Sequence, residues 1–201
     1  MTKKELRLNY TLKRALLTEE EKTFYAKRII SDFFDFLQPL KKTISIYLPI
    51  LSKNEINTYL FFSEKDSLKN TIVAPKWNTL TNELTHHPIT LSSLSISKSG
   101  ITEPMDSSII NPERLDIIVI PLLCVDKKGY RVGYGKGVYD AFLKNQSSNT
   151  LFVGLHYFEI DHNEDIETDD WDIAIDICFT PKNQTIFNEH KLKRYFNLKA
   201  R

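Results

Sequence analysis

The sequence predicts an α/β fold in which a mostly parallel central sheet is flanked by helices. Three observations carry that expectation. An amphipathic helical pattern fills the first forty residues. Beyond it, short β-branched apolar runs alternate with helical or irregular segments, which implies βαβ units and parallel pairing. One such run, Leu115–Leu123, leads into a glycine-rich turn and then a helical pattern, the order found at ligand sites of open α/β sheets.

A first helix is expected from about Lys3 to Leu17. Thr18 with Glu21 three residues later forms a capping box and starts a second helix. In it Ala26, Ile29, Ile30, Phe33, Phe34 and Leu37 keep the i, i+3, i+4, i+7 spacing of one apolar stripe. Thr43–Leu48 and Thr71–Ala74 read as buried strands. Between them, Ile56, Tyr59, Leu60 and Ser63 suit a short helix over Asn54–Phe62. Residues 76–114 are rich in Thr, Ser, Asn and Pro and predict loops, with an edge strand where Leu94 and Ile96 alternate. Leu115–Leu123 is apolar almost throughout, as a strand buried on both faces must be. After the glycines, Val138–Phe142 and Tyr139–Leu143 are i, i+4 pairs of a helix that ends in Asn145–Asn149. Leu151–Leu155 and Ile173–Phe179 supply two more strands, and a basic tail follows. One domain over 1–201 is expected, with N-terminal helices in 3–37, an α/β core in 43–180 and a C-terminal tail in 181–201.

The 201 residues are 41% hydrophobic and 26% charged, enough to bury a core without disulfide or metal staples. Lys and Arg total 27 against 26 for Asp and Glu, a net charge of +1. That balance argues against nucleic acid held by bulk charge. Cys124 and Cys178 lie in apolar runs without metal-ligand spacing and read as buried, reduced thiols. No apolar run approaches the roughly 20 residues of a membrane span. The start Met1–Glu5 lacks the apolar core of a secretory signal. A cytoplasmic protein is expected, with neither membrane nor nucleic acid as partner, as a monomer or alternatively a dimer.

Four of the chain's six glycines lie between Gly129 and Gly137. Such clustering asks the backbone for positive φ or for very close approach. Free amides in that position, opening a helix, favour an anion. Lys136 adds a mobile cation and Arg131 a fork suited to phosphate oxygens. The Walker pattern fails because Gly137 follows Lys136, and the dinucleotide fingerprint fails because Val138 takes its last position. A phosphate cradle therefore stands beside a plain glycine turn as the two readings of the segment.

The run Leu115–Pro121, then Asp126, Gly129, Arg131–Asp140 and Phe142–Leu143, resembles the signature of the 5-formyltetrahydrofolate cyclo-ligase family, the methenyltetrahydrofolate synthetases. Lys3–Arg7 is similar to the family's N-terminal element. Ser45–Pro49 followed by Glu55–Thr58 is similar to its second, and Gly100–Pro104 and Trp171–Asp176 to two later ones. Leu122, Cys124, Val125, Val138 and Trp171 depart from the residues usual in the family. The resemblance implies the fold shared with ribose-phosphate isomerases and CoA transferases. It also implies conversion of 5-formyltetrahydrofolate to 5,10-methenyltetrahydrofolate with ATP and Mg²⁺, releasing ADP and phosphate. The formyl oxygen would be phosphorylated first, after which N10 closes the ring.

For individual residues the resemblance implies that Lys3, Lys4, Arg7, Arg131, Gly133, Tyr134, Gly135, Lys136, Gly137, Val138 and Tyr139 bind ATP. Lys136 and Arg131 would act in catalysis. Leu48 and Glu55, with Tyr134, Gly135, Lys136, Gly137 and Val138, would bind the folate, and Asp140 and Asp172 would hold Mg²⁺. Each also has a plainer reading. Lys3, Arg7 and Arg14 lie within about 40° on a helical wheel, as a solvated face would. Ser52 and Glu55 have the spacing of a capping box. Asp140 suits the first turn of any helix, and Asp172 ends an acidic stretch from Glu159 to Asp170. His86 and His87 diverge along the chain and read as surface loop, and Trp77 lines a pocket or anchors a loop. Rival functions are a sugar-phosphate or CoA-ester enzyme on the same fold, and a folate- or nucleotide-binding relative without catalysis.

Overall fold

The computed structural model describes residues 1–37, 41–63, 70–97, 101–105, 108–161, 163 and 165–197. Helix α1 spans Lys3–Ala15 and helix α2 Glu19–Leu37. Both begin with capping boxes. The Thr2 hydroxyl accepts from the Glu5 amide, and the Glu5 carboxylate accepts from the Thr2 amide at 2.8 Å. Thr18 and Glu21 make the same reciprocal pair ahead of α2. The stripe from Ala26 to Leu37 is buried at all six predicted positions.

The strands are β1 (Thr43–Ser45), β2 (Thr71–Asn78), β3 (Glu83–Pro88), β4 (Leu94–Ile96), β5 (Thr102–Pro104), β6 (Ile117–Ile120), β7 (Cys124–Val125), β8 (Arg131–Val132), β9 (Leu151–Leu155), β10 (Ile177–Phe179) and β11 (Gln184–Ile186). Helices α3 (Val138–Leu143) and α4 (Glu189–Asn197) complete the described elements. Seven strands form one sheet in the order β11-β10-β9-β6-β1-β2-β3. Its five inner strands run parallel, and β3 and β11 close the two edges antiparallel. The predicted fold class is the observed one.

Alternation along β6 shows how the sheet is covered. Ile117 and Val119 join the core built on α2 and α4, with Phe33, Phe179, Leu192 and Tyr195. Ile118 and Ile120 face the opposite core, with Phe152, Cys178 and Leu143 of α3. Helix α1 stands apart, packing Leu6 and Tyr10 on Leu123, Cys124 and Val132. Both cysteines are buried thiols outside any disulfide. Among the described residues no helix is long and apolar enough to cross a membrane.

Several elements differ from expectation. Strand β1 has three residues; the Ile46 amide still donates to the Val73 carbonyl of β2 at 2.9 Å, and Ile46, Tyr47 and Leu48 stay buried beyond the strand. No helix covers Asn54–Phe62. Short 3-10 turns at Leu51–Lys53 and Thr58–Phe62 flank Asn54, whose φ of 51° ends the first turn. Ser52 and Glu55 therefore form no capping box. The loop predicted over 76–114 contains a hairpin, β2–β3, and the small ribbon β4–β5. Asn82, at φ 59°, sits in the hairpin turn and accepts from Trp77 Nε1 at 3.1 Å, so Trp77 anchors a turn. His86 and His87 are buried on edge strand β3, contrary to a surface loop, and His86 stacks on Phe142 at 4.7 Å. The tail is packed through β11 and α4, with Lys191 bonded to Asp176 at 2.7 Å. Gly100, parts of the acidic stretch (residues 162 and 164) and residues 198–201 lie outside the described residues.

Candidate active site

The glycine-rich segment does not follow β6 directly. A two-stranded ribbon, β7–β8, stands between them and lifts the loop beyond the strand ends. Buried Asp126 holds its turn: one carboxylate oxygen accepts from the Lys128 and Tyr130 amides, and the other from Ile166. Gly129, Gly135 and Gly137 have φ of 85°, 84° and 66°, so three of the four clustered glycines occupy the conformation that clustering predicts. At Gly135 a second constraint applies, since a Cβ there would meet the Arg7 guanidinium at 3.2 Å. Gly137 caps α3, which is only six residues long, so the loop's own amides outweigh any helix dipole. Gly135, Lys136 and Gly137 form the exposed crest.

Around this crest the fold gathers cations and carboxylates in pairs. Arg7 Nε donates to the Gly133 carbonyl at 2.9 Å, tying α1 to the loop. Lys3 Nζ lies 2.6 Å from Asp172 and 2.8 Å from Asp169. Partial burial pulls the Lys3 ammonium down, but the two aspartates outweigh it and hold its pKa above the ordinary value. Arg131 meets Asp140 at 2.9 Å and also donates to the Ile173 carbonyl. Burial lowers the Arg131 pKa, with Asp140 opposing. The Ile173 amide donates to Asp140 at 3.1 Å, which fastens the segment carrying Asp172 to the first turn of α3. The two predicted metal ligands thus share one neighbourhood, each neutralised by a predicted phosphate-binding cation.

Their donor chemistry fits a hard divalent ion. Asp140 makes both its bonds through Oδ1, and Asp172 accepts through Oδ2 from Lys3 and the Asp169 amide. Among the described residues this leaves one carboxylate oxygen on each. Two such oxygens with phosphate and water suit Mg²⁺, which keeps much of its hydration. No group of three His, Cys, Asp or Glu converges among the described residues.

Beneath the loop lies a second, buried part of the site. Glu55 is 6% exposed, and its Oε2 accepts from the Ile50 amide at 2.6 Å. Burial raises its pKa, while the Ile50 amide, the Tyr134 hydroxyl, Arg14 and Lys53 pull it back. Lys53 Nζ stands 4.1 Å from the Tyr134 ring centroid, and the Tyr134 hydroxyl is buried with no hydrogen-bond partner among the described residues. Leu48 is buried close in sequence to this acid.

The structure therefore brings together Lys3, Arg7, Arg131, the Gly133–Tyr139 segment, Asp140 and Asp172, while Glu55 is buried on the Ile50–Glu55 segment. Val138 is buried as the first residue of α3, and Lys4 is exposed and meets none of the site's carboxylates. Three further members escaped the sequence reading. Asp169 had no mark among its acidic neighbours. Lys53, just before the left-handed Asn54, reaches the Tyr134 ring with no signal in its spacing. Arg14 carried a signal, its place on the Lys3–Arg7 stripe, but the solvated face it suggested is instead a buried one.

A family model for the 5-formyltetrahydrofolate cyclo-ligase family matches residues 1–181. The 5-formyltetrahydrofolate cyclo-ligase of Mycoplasma pneumoniae is 31% identical over 180 residues, which covers 88% of this chain and 97% of that protein. The solved structure of the 5,10-methenyltetrahydrofolate synthetase of Aquifex aeolicus superposes with a TM-score of 0.75 at 32% identity, covering 93% of each chain. A solved 5,10-methenyltetrahydrofolate synthetase from Mycoplasma pneumoniae gives a TM-score of 0.69 at 28% identity, over 89% of this chain and 98% of that one.

Proposed function

The chain belongs to the 5-formyltetrahydrofolate cyclo-ligase family, and from that premise we propose that it converts 5-formyltetrahydrofolate to 5,10-methenyltetrahydrofolate at the expense of ATP, releasing ADP and phosphate. The observation that carries this reading is the exposed crest Gly135–Gly137, ringed by Lys3, Arg7 and Arg131 and by two aspartates at its rim.

The formyl group is an amide, and its oxygen leaves poorly until phosphorylated. Phosphoryl transfer needs alignment and charge neutralisation more than a protein nucleophile. The loop amides and Arg7 would cradle the triphosphate. Lys136, free to move on the crest, would follow the transferring phosphoryl group, and Arg131 would hold the loop's exit from β8 while offering its fork to phosphate oxygens. Asp140 and Asp172 would hold Mg²⁺, which when bound neutralises charge on the phosphates. Glu55, an acceptor in a buried setting, would take the ring N–H and amino donors of the pterin, with Leu48 and Tyr134 against its face. Once the formyl oxygen carries phosphate, N10 attacks the formyl carbon and phosphate departs.

The test is the ATP-dependent appearance of methenyltetrahydrofolate absorbance with purified protein. Folded protein that yields no product in the presence of both substrates and Mg²⁺ sinks the proposal.

A further inference from the structure

Trp171 is 64% exposed, and the reaction as outlined gives it nothing to do. A single exposed apolar side chain is ordinary on a protein surface. Its backbone setting is less so. Asp170 and Trp171 are the central residues of a turn closed by the Asp172 amide, which donates to the Asp169 carbonyl at 3.0 Å. The Asp169 amide donates in return to Asp172 Oδ2 at 2.8 Å. Lys3 Nζ meets the carboxylates at both ends of the turn, at 2.8 Å for Asp169 and 2.6 Å for Asp172. Next along the chain, the Ile173 amide donates to Asp140 at 3.1 Å and the Ile173 carbonyl accepts from Arg131. The turn is thus fastened to the first turns of α1 and α3 and to β8, while the side chain of Trp171 is left to solvent. Its Cα lies about 3.8 Å from that of Asp172, one of the two carboxylates proposed for Mg²⁺.

That setting suits the base end of a nucleotide. With the triphosphate on the crest and its metal at Asp140 and Asp172, the ribose and base lie beyond the phosphates. A purine is a flat ring system, and stacking on an aromatic side chain covers one of its faces whatever hydrogen bonds its edge makes. Fixing the backbone of the platform in advance reduces the ordering cost of binding. Charge points the same way. Asp169, Asp170 and Asp172 surround the indole in sequence, and together they disfavour a phosphate over the turn but not a neutral base. The pterin is assigned to Glu55, which is buried on a different segment.

We propose that Trp171 is the stacking platform for the adenine of ATP. The inference rests on the proposed ATP site at the crest, to which it adds a base subsite beside the phosphate contacts. Residues 169–173 then serve both ends of the nucleotide, the metal-bound phosphates through Asp172 and the base through Trp171.

The chain has two tryptophans, and Trp77 is held in the β2–β3 hairpin turn by Asn82. Trp77→Phe therefore leaves Trp171 as the reporter indole in the full chain. Its emission should fall saturably on titration with ATP and Mg²⁺. Inorganic triphosphate with Mg²⁺, which fills the crest without a base, should leave it unchanged. In steady-state kinetics Trp171→Ala should raise the ATP KM about tenfold, the scale of losing one base–aromatic stack, with kcat and the folate KM within about twofold. Trp171→Phe should recover most of that loss. Inhibition by inorganic triphosphate should be equal in wild type and Trp171→Ala.

An ATP KM unchanged in Trp171→Ala, or emission that inorganic triphosphate quenches as ATP does, overturns the inference. So does a rise in the folate KM in place of the ATP KM, which would put the indole against the folate. A raised Mg²⁺ requirement in Trp171→Ala would make the turn a support for Asp172 only, and also overturns it. Each of these leaves the cyclo-ligase reading intact. The titration decides the matter by itself should the alanine variant fail to fold. Wild-type protein that binds ATP with quenching of Trp171 but forms no methenyltetrahydrofolate overturns the cyclo-ligase reading and supports the base platform.

Discussion

The Lys3 ammonium lies 2.6 Å from the Asp172 carboxylate, pinning the first turn of α1 to a loop near the other end of the chain. Each partner is proposed for a different ligand, Lys3 for phosphate and Asp172 for Mg²⁺. Each masks the other, and Arg131 with Asp140 repeats the arrangement. On these proposed roles, binding of a metal–phosphate complex would exchange the internal pairs for external ones and leave no charge unpaired in the site. A bare nucleotide would have to displace the aspartates without compensation.

From this exchange follows a prediction for Asp172→Asn. The variant should need more Mg²⁺ for half-maximal turnover, by about tenfold. Metal-free ATP should bind it as well as, or better than, wild type, because a negative charge has been removed near the triphosphate. Titrations of nucleotide binding with and without Mg²⁺ check both halves. Equal weakening in the two titrations would mean that Asp172 only staples α1.

Lys136 is exposed on the crest, away from the packed cores. Lys136→Ala should therefore cost about 100-fold or more in kcat, the scale of losing one charge-stabilising group at a phosphoryl transfer. The melting temperature should stay within about 1 °C, as for most exposed substitutions. Turnover and thermal unfolding measured on the same preparation separate this outcome from simple misfolding.

Gly135→Ala probes the close approach beneath the loop. The new methyl group would sit 3.2 Å from the Arg7 guanidinium at a φ of 84°. The backbone penalty alone is about 1 kcal/mol or more. Relief requires Arg7 to leave the Gly133 carbonyl, which should raise the ATP KM more than the folate KM. An ATP KM unchanged within error would show that Arg7 is not held by the loop.

How much of this could be read from residue order differs between the sheet and the site. The parallel core was legible because β6 and β9 are continuous apolar runs, and only strands covered on both faces have that composition. The α2 stripe was legible from its spacing. The β2–β3 hairpin was not, since its turn at Asn78–Asn82 has no glycine and His86–His87 are polar residues buried by neighbours distant in sequence. Glycine clustering marked the crest proposed for phosphate, where backbone chemistry is local. Glu55 and Arg14 are different in kind. Their spacing fits a cap and a solvated face equally well, and only tertiary packing buries both.

The buried histidines give the protein a defined acid sensitivity. Burial, with His87 adding to it, lowers the His86 pKa from 6.5 to about 4, and burial with Arg14 lowers that of His156 to about 3. Both rings are neutral in the folded state, and their unfolded counterparts take up protons first as pH falls. The sign follows: stability is full above about pH 6.5 and declines below it until the folded pKa values are reached. Between pH 7 and pH 5 each histidine should cost about 2 kcal/mol of unfolding free energy. Denaturant unfolding across that range measures the slope. His86→Leu replaces a ring whose two nitrogens have no hydrogen-bond partner by a side chain of similar volume, so the core against Phe142 should tolerate it. The variant should lose one histidine's share of the slope and be at least as stable as wild type at pH 5. A slope identical to wild type would show that His86 is accessible to protons in the folded state, contrary to its burial on β3.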